Sequence, residues 1–213
     1  MLTLRVNLRT VDAQPFFHNA TIEGGSHVSP EPRLLDHAFY RAWMKGEVSP
    51  QTLGAYHRSY DELVRRIPLY WQRVVESFQP DFPGEHPVVS DERRHVRLWE
   101  EWGRSLPFAN GFPRLTPLFD SLDAMTPSEL LGALQAFEVQ QPEVARTKKE
   151  GLLRHYGVPQ DRLSYFDEHQ EEEAHIAFGK HLSEHFADRA GFEKGFAQGA
   201  WLLYRSLDPF VAG

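Results

Sequence analysis

Apolar residues recur at intervals of three and four along almost the whole chain from Pro32 onwards. This spacing places them on one face of an α-helix and is not typical of a β-strand. Helix starts are marked by a capping residue followed by proline, at Ser49–Pro50 and at Thr126–Pro127, and Gly46 marks a helix end. We therefore predict an all-α fold, a single helical bundle of six to seven helices over residues 31–213.

The first thirty residues do not share this pattern. Apolar residues alternate with polar ones between positions 2 and 8, which is a weak signal for a strand. Gly24–Gly25 and the prolines on either side of Glu31 then interrupt any regular element. We predict that residues 1–30 form an N-terminal arm that lies on the helical domain or on a second subunit.

Charge and composition exclude several classes of function. The formal charge of −7 argues against nucleic acid or an anionic membrane as the main partner. The chain has no cysteine, which rules out disulfides, thiolate nucleophiles and iron–sulfur clusters. No apolar stretch approaches the roughly 20 residues that span a bilayer, and the N-terminus lacks the apolar segment of a signal peptide. We expect a cytoplasmic protein with no nucleic-acid and no membrane partner.

The stretch FDEHQEEEAH, residues 166–175, combines two histidines with five acidic residues. It lies in a predicted helix that starts at Pro159 or Ser164 and ends near His185. Imidazole nitrogens and carboxylate oxygens are ligands that iron, manganese and zinc prefer. One helix supplies only part of a metal site, so we expect matching ligands from other helices.

The spacing within this stretch divides its residues between different faces of the helix. His169 and Glu173 are four residues apart, about 40° on a helical wheel, so both can face one metal ion. His175 lies about 120° from His169, so without a π-bulge we expect it at the surface or behind the ligands. Glu172 and His175 are three residues apart and form a second candidate pair on a neighbouring face.

Two other predicted helices carry candidate ligands. Glu92 and His95 form a Glu-x-x-His pair, the arrangement by which helix bundles bind two metal ions, although a solvated helix face can contain the same short pattern. Glu138 follows Phe137 in an apolar part of the long helix predicted from Thr126 to Tyr156. A buried carboxylate needs a metal or another cation, or a hydrogen-bond network, and a buried arginine or tyrosine would meet the same need.

These residues lie in segments that resemble the haem-oxygenase-fold group, which contains the TenA thiaminases, PqqC and the di-metal oxidases. Within this group the chain is most similar to the Chlamydia protein associating with death domains and its bacterial relatives. The resemblance covers roughly residues 33–208 in the same order. The segments that carry it are HAFYRAWMKGEVS (37–49), HVRLWEEW (95–102), FEVQQPEVARTKKEGLLRHYG (137–157), YFDEHQEEEAH (165–175) and LLYRSLD (202–208).

The resemblance implies a centre of two iron ions, or of iron and manganese, without haem. The implied metal ligands are Glu92, His95, Glu138, His169 and Glu173. The family's sixth ligand is a histidine that falls on Ile176 here, so a complete two-metal site would need His175 in its place.

The resemblance also implies an oxygenase that makes para-aminobenzoate for folate synthesis from one of its own tyrosines. The tyrosines implied to be consumed or to relay electrons are Tyr40 and Tyr165, and a third falls on Phe137. Lys148 is the implied amine donor. From the residues alone, Tyr40 is also explained by core packing and Lys148 by a solvated helix face.

Three hypotheses for function follow. The leading one is a non-haem di-metal oxygenase that uses dioxygen to oxidise its own tyrosine or a small-molecule substrate. A metal-free enzyme of the same fold that acts on a small heterocycle is the first alternative, and a non-enzymatic interaction protein is the second. Because proteins of this fold are often dimers, Trp201, Leu202 and Tyr204 of the last helix are candidates for a homodimer contact, although core packing explains them equally well.

Overall fold

The computed structural model describes residues 31–109, 111–171 and 173–211. Within these ranges the chain forms nine α-helices and three single-turn 3₁₀-helices, and no strand. The predicted all-α class is confirmed, whereas the N-terminal arm predicted for residues 1–30 lies outside the described ranges. The α-helices are α1 (Ala38–Lys45), α2 (Pro50–Phe78), α3 (Pro87–Gly103), α4 (Thr116–Ala124), α5 (Pro127–Glu138), α6 (Gln141–His155), α7 (Ser164–His169), α8 (Glu173–His185) and α9 (Arg189–Arg205). The 3₁₀-helices are Leu34–Asp36, Gln160–Arg162 and Asp208–Phe210.

Helix boundaries follow the capping chemistry that the sequence indicates. The Ser49 hydroxyl accepts a hydrogen bond from the Thr52 N–H at 3.1 Å and caps α2. Thr126 and Glu129 form a capping box at the start of α5, in which each side chain accepts from the backbone of the other. Gly46 ends α1 in the left-handed region, with φ of 72°. These three predicted boundaries are confirmed.

Helix α5 is the central element of the bundle. Its side chains are buried around the whole circumference instead of along one stripe. It packs closely on α9 through glycine: a Cβ on Gly132 would lie 2.1 Å from the Phe192 carbonyl oxygen, and one on Gly195 would lie 1.9 Å from the Glu129 carbonyl oxygen. This backbone-to-backbone contact fixes the first half of α5 against α9, and Glu138 is the buried last residue of the same helix.

The first break in a long predicted helix separates α5 from α6. A turn at residues 139–140 follows Glu138 directly. Pro142 lacks the N–H that would donate to the Glu138 carbonyl, so a continuous helix would lose this bond. The Gln140 side chain instead bonds to two other backbone groups, accepting from the Leu34 N–H at 2.8 Å and donating to the Ala136 carbonyl at 3.1 Å.

The second break separates α7 from α8 and follows His169 directly. No proline or glycine lies between residues 164 and 178, so the chain gives no strong signal for it. After the break, the Gln170 side chain donates to the Phe166 carbonyl at 3.0 Å. The two breaks explain why the described part of the chain has nine α-helices instead of the six to seven predicted.

Trp201 lies on the outer side of α9 and is 54% exposed. Packing in the core of this chain therefore does not account for it. The homodimer remains a prediction, with Trp201 as the residue that most needs an explanation.

We expect the substitution Gly195→Ala to lower the free energy of unfolding by about 1–3 kcal/mol. The added methyl group would meet the backbone of α5, which cannot move aside as a flexible side chain can. Urea denaturation followed by circular dichroism measures this change. Gly111→Ala is the control, because a Cβ there meets nothing within 4 Å. Equal stability of the two variants would contradict the close α5–α9 contact.

Candidate metal centre

Helix α3 contributes two buried side chains that are one turn apart. Glu92 and His95 point into the bundle, and the His95 Nδ1 atom lies 3.3 Å from the Glu92 Oε2 atom. The three-residue spacing puts both side chains on the inner face of the helix, as the sequence predicts.

Glu138 and His175 reach the same place from α5 and α8. The His175 Nδ1 atom lies 3.4 Å from Glu92 Oε1 and 4.0 Å from Glu138 Oε2. One ligand atom from each of Glu92, Glu138 and His175 falls within 4.8 Å of the other two, and all three residues are buried. Metal–ligand bonds of about 2.0–2.2 Å place two ligand atoms of one ion at most about 4.4 Å apart, so the separations of 3.4 and 4.0 Å suit a shared ion.

The break before α8 is what turns His175 inward. On a continuous helix, His169 and His175 would point about 120° apart, yet both are buried here. The inward turn that we expected only from a π-bulge is achieved by ending one helix and starting another.

The same change of direction places Glu173 differently from the prediction. Its side chain is exposed at the first residue of α8, so the structure does not bring it to Glu92 and Glu138. Ile176 is half-buried, and its carbonyl accepts a hydrogen bond from the Gln135 side chain at 3.1 Å. His175 thus occupies the inward position one residue earlier than expected, and Glu172 lies outside the described ranges.

His169 and His95 lie next to each other, beside the cluster of Glu92, Glu138 and His175. Their ring centroids are 4.3 Å apart, and His169 Nδ1 lies 2.7 Å from the Tyr165 carbonyl oxygen. Because a carbonyl only accepts, His169 carries its proton on Nδ1, and Nε2 holds the lone pair. This is the tautomer in which a histidine binds metal through Nε2.

Two further contacts determine the charge and position of the carboxylates. The Trp71 indole N–H donates to Glu138 Oε1 at 3.2 Å. Burial by itself raises the pKa of Glu92, but the hydrogen bonds and charges of His175 and His95 outweigh it, so the pKa falls well below its usual value. Glu92 is therefore a carboxylate, the form that binds cations.

A cavity of about 60 Å³ connects this cluster with a second group of polar side chains. Its lining includes Tyr40, Tyr56, Tyr60, Glu92, Glu138, Lys148, Tyr165 and His169. The Lys148 Nζ atom lies 5.5 Å from the centre of the Tyr40 ring and 5.2 Å from that of Tyr56. The cavity therefore places an amine and tyrosine rings beside the metal-ligand cluster.

Burial controls the protonation of this second group. It lowers the pKa of Lys148 to about 7, because a charged amine is poorly solvated in the bundle. Burial also raises the pKa of Tyr40, although a hydrogen bond with Tyr56 offsets part of this. Above about pH 7, a neutral amine thus lies next to neutral phenols.

Comparison with known proteins supports a redox role for this arrangement. Residues 85–207, more than half of the chain, match the family described as iron-containing redox enzymes. The chain belongs to this family. As an iron-containing redox enzyme, the protein is an oxidoreductase. Within the described ranges, every helix is too short or too polar to cross a membrane.

Several curated relatives are similar over most of their length. A 4-aminobenzoate synthase of Chlamydia pneumoniae is 26% identical over 178 residues, covering 72% of this chain and 74% of the relative. Another of Chlamydia trachomatis is 29% identical over 167 residues, covering 65% and 68%. A third, of Nitrosomonas europaea, is 28% identical over 165 residues, covering 64% and 67%.

The buried cluster fits the iron of this family. It offers carboxylates and imidazoles, the ligands common at non-haem iron, and the ligand atoms of Glu92, Glu138 and His175 are close enough for one ion. His95 and His169 lie beside these three residues. Iron is therefore compatible with the residues present.

Sequence reasoning missed three residues at the site. Tyr56 and Tyr60 occur four apart on α2 and look like core aromatics, yet both line the cavity. Their hydroxyl groups are the signal that could have identified them, because a buried hydroxyl needs a partner. The sequence likewise places Trp71 in the core, but the structure shows that its indole N–H donates a hydrogen bond to Glu138.

The buried amine of Lys148 predicts how stability depends on pH. An unfolded lysine titrates near 10.5, against about 7 in the folded protein. Between these values the unfolded state binds more protons, so stability rises with pH. Relative to Lys148→Met, we expect the wild-type free energy of unfolding to increase from about pH 7 to about pH 10 by a few kcal/mol, with no relative change below about pH 6.

Urea denaturation at a series of pH values tests this expectation. Lys149→Met is the matched control, because the adjacent Lys149 pairs with Asp167 at the surface and should show no such trend. Parallel pH profiles for the wild type and Lys148→Met would mean that Lys148 is solvated.

Proposed function

We propose that the protein is a non-haem oxygenase with a two-metal centre of iron, or of iron and manganese. The observation that carries this proposal is the buried group of Glu92, Glu138 and His175, whose ligand atoms lie within 4.8 Å of one another. Burying two carboxylates and a histidine without a cation is unfavourable in free energy. A metal ion offsets this cost and supplies the chemistry of the family.

The contacts of Glu92 support two metal positions instead of one. Its Oε1 atom faces His175 at 3.4 Å, and its Oε2 atom faces His95 at 3.3 Å. In our proposal Glu92, Glu138 and His175 would hold one ion, and Glu92, His95 and His169 would hold the other. The bound metals would supply the capacity to use dioxygen as an oxidant.

The proposed product is 4-aminobenzoate, which the curated relatives are named for making. The proposed sources are Tyr40 for the ring and Lys148 for the amine. Burial lowers the pKa of Lys148 to about 7, which makes its neutral form available near neutral pH, and its amine lies over the Tyr40 ring. Tyr165 stands beside the metal ligands, with its ring centre 4.1 Å from that of His169, so its proposed role is to relay electrons between the centre and Tyr40.

The size of the cavity favours a substrate taken from the chain itself. Its volume is about 60 Å³, whereas an engineered cavity that binds benzene has about 150 Å³. A free aromatic substrate would need the bundle to open. A tyrosine of the chain already has its ring in the cavity wall.

The burial of His175 also bears on the alternatives. A His175 side chain that faced solvent would favour a metal-free enzyme of this fold, but His175 is buried beside Glu92. No contact of the described residues favours a purely non-enzymatic role. The two-metal oxygenase therefore has the strongest support.

The first prediction of this proposal concerns metal content. Protein produced with iron and manganese supplementation should contain between one and two metal ions per chain by elemental analysis. His175→Ala and Glu138→Ala should each remove most of this metal, because each deletes a buried ligand. Less than about 0.2 metal per chain in the wild type would sink the proposal.

Glu173→Gln is the matched control for these variants. Because Glu173 is exposed, this substitution should leave the metal content unchanged. The variant Glu172→Gln tests the second candidate pair, because Glu172 lies three residues before His175 in the sequence. Loss of metal in Glu173→Gln with retention in His175→Ala would reverse our assignment.

The second prediction concerns the side chains that are consumed. After iron(II) and dioxygen are added to the full-length protein, peptide mass spectrometry should show loss of intact Tyr40 and Lys148 in step with 4-aminobenzoate formation. Tyr40→Phe and Lys148→Met should each abolish product, because they remove the proposed ring and nitrogen sources. Lys149→Met, with its surface pair to Asp167, should keep activity.

Tyr56 is the alternative source of the aromatic ring. Its ring is as close to Lys148 as that of Tyr40. Isotope-labelled tyrosine with peptide mapping distinguishes the two residues. Product formation that leaves Tyr40 intact while Tyr56 is consumed would move the assignment to Tyr56.

A further inference from the structure

The Glu168 side chain lies between the metal-ligand cluster and the surface, with one carboxylate oxygen on each side. Its Oε1 atom pairs with the Arg94 guanidinium, while its Oε2 atom is buried and lies 3.3 Å from His95 Nε2. The side chain as a whole is 30% exposed. Glu168 therefore forms a partly exposed wall of the cluster, one residue before His169.

His95 is flanked by carboxylates on both ring nitrogens. Its Nδ1 atom faces Glu92 Oε2, and its Nε2 atom faces Glu168 Oε2, each at 3.3 Å. Glu92 also faces His175, near Glu138. The Nδ1 side of the ring, which faces Glu92, is thus the side on which a metal would bind, and the Nε2 side faces Glu168.

The buried oxygen of Glu168 indicates where His95 would hold its proton once a metal ion took the place of the Nδ1–H that faces Glu92. Among the described residues, Glu168 Oε2 has no well-aligned hydrogen bond. A buried carboxylate oxygen without a donor is costly, and a small rotation of the His95 ring would provide one from Nε2–H. Metal-binding histidines generally donate their second ring N–H to such an acceptor, which fixes the tautomer and the ring orientation.

Arg94 holds Glu168 in this position from the other helix. It lies on α3, one residue before His95, and its guanidinium bonds Glu168 on α7 while also lying 3.6 Å from Asp91. The Arg94–Glu168 pair thereby joins the two helices that carry His95 and His169. One side chain both supports His95 and connects these two helices.

We propose that Glu168 is a positioning residue that accepts the Nε2–H of His95 and so presents Nδ1 to the metal. This inference rests on the proposed metal centre. Glu168 itself is not a ligand in this proposal. It acts through His95, and Arg94 acts through Glu168.

Metal titration of the full-length protein tests the proposal, with manganese(II) as the probe and no dioxygen present. Glu168→Ala should weaken binding by about 10- to 100-fold, as loss of a histidine's acceptor typically does. Glu168→Gln should recover much of this loss, because its amide oxygen still accepts from Nε2–H. Thermal melting followed by circular dichroism checks that each variant is folded.

Glu100→Ala is the matched control for a lost surface pair. Glu100 also bonds an arginine on another helix, at 2.5 Å from Arg65, with a side-chain exposure of 40%. It should bind manganese as the wild type does. If Glu168→Gln loses as much affinity as Glu168→Ala, or if Glu100→Ala loses as much, charge explains the effect and the proposal is wrong.

A second readout observes the tautomer directly. Nitrogen-15 NMR of the histidine side chains in zinc-loaded protein should show His95 with a protonated Nε2 and a coordinated Nδ1. Coordination through Nε2 would overturn the proposal. If the wild type binds neither manganese nor zinc, the metal centre itself fails, whereas tight binding that Glu168→Ala leaves unchanged sinks only the role of Glu168.

Discussion

Burial of two carboxylates in the middle of the bundle is the constraint on which the rest of the site depends. Glu92 and Glu138 are both almost inaccessible to water, and each would cost several kcal/mol if left without a cation or donors. The imidazoles of His95 and His175 and the indole N–H of Trp71 offset part of this cost.

The two helix breaks make such a cluster possible with few residues. Each break directly follows a residue of the cluster, Glu138 or His169. A helix that stops there leaves its last side chain in the core while the backbone turns away. At the second break, the new helix also brings His175 back to the same point from another direction, which one straight helix cannot do.

The sequence predicts the parts of this arrangement that depend on local chemistry. Capping at Ser49 and Thr126 and the apolar run around Glu138 follow from side chains near in sequence. The break before Pro142 was also foreseeable, because proline cannot donate to the Glu138 carbonyl. The break after His169 was not, since no proline or glycine marks it and its cause lies in contacts with other helices.

The positions of Glu173 and His175 depend on that second break. A helical wheel assumes an unbroken helix, so it pairs His169 with Glu173 and turns His175 away. Once the helix is interrupted, a helical wheel no longer gives the relative directions of side chains before and after the break. An accurate prediction needs the contacts of His175 with Glu92 and Glu138, which come from other helices and are not contained in the helical spacing.

Lys148 extends this reasoning from the ligands to the reaction. A solvated lysine would be charged near neutral pH, and burying its amine lowers the pKa to about 7 at a cost in stability. Nothing in the packing requires an amine there, since a methionine of similar length would fill the same space. Proteins keep such costly groups mainly where activity needs them. The position of Lys148 over the Tyr40 and Tyr56 rings is compatible with the amine transfer to a tyrosine ring that we propose.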